Sequence, residues 1–85
     1  MGLIDIFLWA AIILGMEPIK AARAKRREMK LSQAAFAERF GLVLQTYKQW
    51  ERGSRKPDRA SNVLLDTIVE FPEIVERVVR SRARA

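Results

Sequence analysis

The chain has 85 residues, enough for one small domain with a modest core and too few for two. It carries 16 Lys and Arg against 10 Asp and Glu, a net charge of +6, and has neither cysteine nor histidine. A disulfide framework, thiolate zinc sites and histidine-activated nucleophiles are thereby excluded. The charge is also uneven: residues 17–60 hold 12 Lys and Arg against 5 Asp and Glu, while residues 1–16 carry only Asp5 and residues 61–85 balance. An excess confined to the middle is what a polyanion-binding face requires, because affinity for phosphates comes from displacing their counterions.

Residues 3–14, LIDIFLWAAIIL, are an apolar run broken only by Asp5 and closed by Gly15, Met16, Glu17 and Pro18. As a helix, Leu3 to Met16 would span roughly 21 Å against about 30 Å for a hydrocarbon core, which disfavours a membrane span. No basic residue precedes the run, as a secretory signal would need. Residues 1–16 therefore read as a partner-binding helix or as an over-extended start ahead of Met16, with residues 17–85 as the folded domain. A membrane anchor over residues 3–14 is the disfavoured alternative.

From Ile19 to Met29 a narrow stripe of Ile19, Ala22, Arg23, Arg26 and Met29 recurs at helical spacing, edged by Lys20, Lys25 and Arg27; this predicts a basic first helix. Its cations have two open readings, a solvated face or a face toward a polyanion. Ser32 is a good N-cap for a second helix holding Ala34, Phe36, Ala37 and Phe40, and Gly41 suits a left-handed stop. Leu44, Tyr47 and Trp50 then repeat every three residues up to Gly53, which marks a short third helix. After the turn GSRKPD, Asp58 can cap a fourth helix with Ala60, Val63, Leu64, Leu65, Ile68 and Val69. Pro72 suits the first position of a fifth, with Glu73 near its positive end, Arg77, Arg80 and Arg82 toward its negative end, and a stripe of Ile74, Val75, Val78 and Val79. No stretch alternates as a strand would, so the expectation is an all-α bundle of about five helices. Glu28, Glu38, Glu51, Asp58, Asp66, Glu70, Glu73 and Glu76 are interleaved with Lys and Arg at helical spacing and read as surface ion-pair partners. No enzyme activity, metal or cofactor is expected.

The segment from Gln33 to Arg52, QAAFAERFGLVLQTYKQWER, meets the demands of two helices crossing closely through a tight turn. A small residue is needed midway along the first helix, a turn residue must accept positive φ, and apolar residues on the second helix must lock the crossing. Ala37, Gly41, Tyr47 and Trp50 stand at those places. With LSQAAFAERFG, TYKQWERG, RKPD, the Leu64-Leu65 pair and the segment Pro72 to Val75, the sequence resembles the Cro/CI-type (XRE family) helix-turn-helix regulators, and among them the HigA-like antitoxins. The resemblance covers roughly residues 19 to 80. It implies a lambda-repressor-like fold in which the helix after Gly41 enters a DNA major groove.

By that resemblance Leu44, Gln45, Thr46 and Gln49 face base edges. Gln can pair bidentately with adenine, Thr can offer its hydroxyl or methyl, and Leu44 can meet only an apolar group such as a thymine methyl. Gln33 corresponds to a residue that clamps a phosphate, and Lys48, Arg52, Arg55 and Lys56 are placed to hold phosphates by charge. One departure stands out. Val43 occupies the place where a small hydroxyl residue commonly caps the recognition helix, and it cannot accept an amide hydrogen bond. The expected partners are a double-stranded DNA operator, a second copy of the chain and a cognate toxin, in the cytoplasm. The alternative from another class is a protein-interaction module built on the same scaffold.

Overall fold

The computed structural model describes residues 14–83, so the expectation for the apolar run falls almost wholly outside the described residues. Five helices follow in order: α1 (Pro18–Glu28), α2 (Gln33–Arg39), α3 (Leu44–Arg52), α4 (Arg59–Glu70) and α5 (Pro72–Ala83). There is no strand among the described residues. The all-α bundle with a central helix-turn-helix, lambda-repressor-like in arrangement, is the architecture expected.

The helix starts follow local chemistry. Ser32 Oγ accepts from the Ala35 amide at 3.0 Å and Asp58 Oδ1 from the Ser61 amide at 2.9 Å, each satisfying an orphan donor of the first turn. Pro18 opens α1 and Pro72 opens α5, where a missing N–H costs nothing. Three consecutive helices end alike, with one left-handed residue whose amide and successor's amide close back onto the last turn. At Gly41 (φ 71°) the Leu42 amide reaches the Ala37 carbonyl at 2.8 Å, and at Gly53 (φ 83°) the Ser54 amide reaches Gln49 at 3.1 Å. The third such position is Lys30 (φ 58°), where the Leu31 amide reaches Arg26 at 3.1 Å without glycine to ease the conformation.

The core is built from Phe36 and Phe40 of α2 and its cap, Tyr47 of α3, Leu65, Ile68 and Val69 of α4, and Val75 of α5. Ala21 and Ala22 are fully buried and let α1 lie close along α4. The Phe36 ring meets Phe40 edge-on at 4.8 Å and Tyr47 at 5.3 Å, so the aromatic centre of the bundle sits directly behind the helix-turn-helix.

Two stripes differ from their sequence reading. On α1 the most buried residues are Ala21, Ala22 and Lys25, where two small residues in succession allow the closest approach to α4; Arg26 is mostly buried on another side, toward Glu51, and Arg23 is exposed. On α5 only Val75 is buried; Val79 is half-buried, while Ile74 and Val78 face outward. A helix at the end of a small bundle has one neighbour side, which a four-residue apolar stripe exceeds.

Candidate nucleic-acid interface

The helix-turn-helix is held from within. Ala37 is 2% exposed at the crossing of α2 and α3, and Tyr47 is fully buried against Phe36. With Tyr47 inward, residues 45, 48, 49 and 52 fall on the opposite side of α3 by helical periodicity. Gln45 and Arg52 are exposed, Lys48 and Gln49 half-buried, and Leu44 and Thr46 half-buried at the margins of that face. Of the residues expected to read bases, Gln45 and Gln49 share the outward face of this short helix, while Leu44 and Thr46 lie on its two flanks. Trp50 packs against the core but remains partly exposed.

The inner side of α3 carries a contact that the sequence did not announce. Glu51, whose side chain is 5% exposed, takes a bidentate pair from Arg26 of α1: Nε donates to Oε2 at 2.8 Å and Nη2 to Oε1 at 3.0 Å. The third guanidinium nitrogen, Nη1, donates to the Leu31 carbonyl at 2.9 Å and so ties in the α1–α2 turn. Gln33 Nε2 donates to Glu51 Oε1 at 3.1 Å, adding the start of α2, and Arg23 approaches the same oxygen at 3.9 Å. Because Glu51 is acceptor-only, the Gln33 amide must present its nitrogen. Burial pushes the Glu51 carboxyl up, but the bonds from Arg26 and the Gln33 amide and the Arg26 charge outweigh it and hold the group below the ordinary range. Burial, reinforced by Glu51, raises the Tyr47 hydroxyl and keeps it neutral. Arg26 and Glu51, read from sequence as surface charges, are the brace of the unit. A separation of 25 residues gave no local signal for the pairing.

The outer end of α3 is built differently. Val43 is the N-cap residue in extended conformation (φ −77°, ψ 119°), makes no side-chain cap bond and is 69% exposed. The first-turn amides at Leu44 to Thr46 therefore face outward without a side-chain acceptor, beside Gln45.

Cations gather beside the C-terminal end of α3. Arg55 and Lys56, both exposed, line a cleft of about 310 Å³ together with Lys20 and Arg23 of α1 and the Trp50 ring. Segments more than 30 residues apart in sequence thus meet beside the end of α3, where Glu17 and Glu51 line the same cleft. Lys20 is paired with Glu17 at 3.8 Å, whereas Lys48, Arg55 and Lys56 have no ion pair among the described residues. Arg52 Nε makes one weak bond, to Ser54 Oγ at 3.4 Å. Gln33 stands apart from this group, with one of its two amide N–H donors already committed to Glu51. Among the described residues no cluster of acidic side chains could hold a metal, and no helix is long and apolar enough to cross a membrane.

Residues 23–60 match the helix-turn-helix family, a stretch that runs from within α1 through the α2–α3 unit to the first residues of α4. Comparisons with curated proteins and with solved structures found no match. The family match supports the Cro/CI-type resemblance and DNA-binding transcription regulation as the class of function.

Proposed function

We propose that this protein is a sequence-specific repressor that places α3 in the major groove of its operator, and that it is the antitoxin of a toxin-antitoxin pair controlling its own operon. The observation that carries the DNA reading is the asymmetry of α3. One face is fixed by Tyr47 and Glu51, and the other presents Gln45, Lys48 and Gln49, with Arg55 and Lys56 in the loop after Gly53; none of these three cations has an ion pair within 4 Å among the described residues. Gln45 and Gln49 suit adenine, Thr46 and Leu44 suit thymine methyls, and the cations suit the phosphates on either side. The spare N–H of Gln33 suits one more phosphate. Two copies on a palindromic site would place their α3 helices about one helical turn, roughly 34 Å, apart. Small size and the likeness to HigA-type chains support the antitoxin role, with the apolar run over residues 1–16 as a surface for the toxin.

Binding of the full chain to its own promoter DNA, measured across a salt series, tests the DNA reading. The expected plot of log K against log salt falls with a slope of about −0.9 for each phosphate neutralised. A flat plot, or affinity equal to that for scrambled duplex, contradicts it and favours a scaffold that binds protein alone. Co-purification with the product of an adjoining toxin-like gene tests the antitoxin role, and the lack of such a gene removes it.

A further inference from the structure

The cleft beside the end of α3 carries more chemistry than a DNA duplex can use. Its volume of about 310 Å³ lies at the lower end of the range of small-ligand sites, roughly 300 to 1,000 Å³, and gives room for one small molecule. The start of α1 and the loop after Gly53 line it, and the Trp50 ring, Ile19 and Pro57 supply its apolar surface. Lys20, Arg23, Arg55 and Lys56 stand against Glu17 and Glu51, an excess of two positive charges. Both carboxylates are engaged within the protein, Glu17 at 3.8 Å from Lys20 and Glu51 in its bidentate pair with Arg26. Arg55 and Lys56 have no ion pair within 4 Å among the described residues. Asn62 of α4 completes the lining: its Nδ2 donates to the Pro57 carbonyl at 3.5 Å, which orients the amide and leaves Oδ1 and a second N–H without a protein partner.

We infer that this cleft binds a nucleoside monophosphate, and that the bound nucleotide releases the operator. A phosphate monoester carries roughly −1.5 to −2 charge at neutral pH, which is the charge the lining lacks. A flat base offers a face to the Trp50 ring. Its edge sets donors and acceptors side by side, as the free part of the Asn62 amide does. A duplex fills only part of this lining: its phosphates suit Arg55 and Lys56, but its bases are stacked on one another and have no free face for Trp50. Inorganic phosphate likewise leaves the aromatic and amide surfaces unused. Because Arg55 and Lys56 are also two of the cations proposed above for operator phosphates, nucleotide and operator compete for them, and each weakens the other's binding by the same factor. The release of the operator rests on the repressor reading above; the nucleotide site itself does not.

Calorimetric titration of the full chain without DNA tests the site, so that a failure of operator binding leaves the result untouched. The probes are the 5′-monophosphates of adenosine, guanosine, cytidine and uridine, the matching nucleosides, and inorganic phosphate. Saturable binding of at least one monophosphate is expected, with its nucleoside and inorganic phosphate each weaker by about tenfold or more. In a Trp9→Phe chain, where Trp50 is the remaining tryptophan, the same titration should quench the indole emission. Arg55→Gln with Lys56→Gln should weaken the nucleotide about tenfold at unchanged helical content, since both side chains are exposed. Arg77→Gln with Arg82→Gln, the same loss of charge on α5, should leave nucleotide binding unchanged. With operator present, saturating nucleotide should lower operator affinity about tenfold. Absence of saturable binding for all the monophosphates overturns the inference. So does inorganic phosphate bound as tightly as the nucleotide, which would make the cleft a seat for backbone phosphate alone. Nucleotide and operator that bind together at unchanged affinity contradict the release.

Discussion

At its C-terminal end α3 is tied through Glu51 to three segments, α1, the α1–α2 turn and the start of α2, and closes on a glycine in the left-handed conformation. At its N-terminal end the same helix begins on an exposed valine that caps nothing. The comparison separates two jobs within one helix. The tied end sets where α3 sits on the domain; the open end leaves backbone donors and Gln45 available to a ligand. A phosphate near those amides would supply the acceptors that Val43 does not.

The largest expected effect is on the tied end. Glu51→Ala leaves Arg26 without its partner in a site where both side chains are mostly buried, and should cost about 3 kcal/mol in denaturant unfolding. A loss below about 1 kcal/mol would mean the brace is ornamental, as exposed pairs often are. The same group sets an acid limit. Its folded-state pKa is depressed, so its contribution is fully present above its ordinary value of 4.5 and is lost as pH falls through the lower folded value. Unfolding followed between neutral pH and pH 3 should show this loss, and Glu51→Gln should flatten it.

The turn between the two ends comes next. Gly41→Ala meets both a positive φ and the Val79 methyl at 3.1 Å, and should cost about 2 kcal/mol. Gly53→Ala meets the same backbone strain with open space around it, and should cost about 1 kcal/mol. Equal losses at the two glycines would show that the α2–α3 turn does not press on α5.

The open end should respond in the opposite direction. Val43→Ser supplies the missing acceptor, and thermal unfolding should report a gain of about 1 kcal/mol. No gain would mean that the first-turn amides are already satisfied by solvent. The smallest effect concerns Lys30, whose φ of 58° is costly for a residue with a Cβ; Lys30→Gly should gain about 0.5 kcal/mol after the entropy of glycine is subtracted.

These two ends were not equally readable in the sequence. The open end was visible, because Val43 stands next to a glycine turn and capping chemistry is local. The caps at Ser32 and Asp58, the stops at Gly41 and Gly53 and the start at Pro72 were readable for the same reason. The tied end was hidden. Arg26 and Glu51 carry the same letters as surface charges, and only the packing of α1 behind α3 brings them to 2.8 Å. Lys25 was hidden likewise: it is 8% exposed although it sits in a run of cations. For α5 the stripe of Ile74, Val75, Val78 and Val79 was plain, but periodicity alone does not say which half meets the core.

The most direct test of the account is a base-by-base affinity profile of the operator for the wild-type chain and for Gln45→Ala and Gln49→Ala. Each variant is expected to keep its fold and its salt slope but to lose roughly 1 to 3 kcal/mol of discrimination at one or two particular base pairs. Unchanged profiles for both variants would contradict α3 as the reading helix.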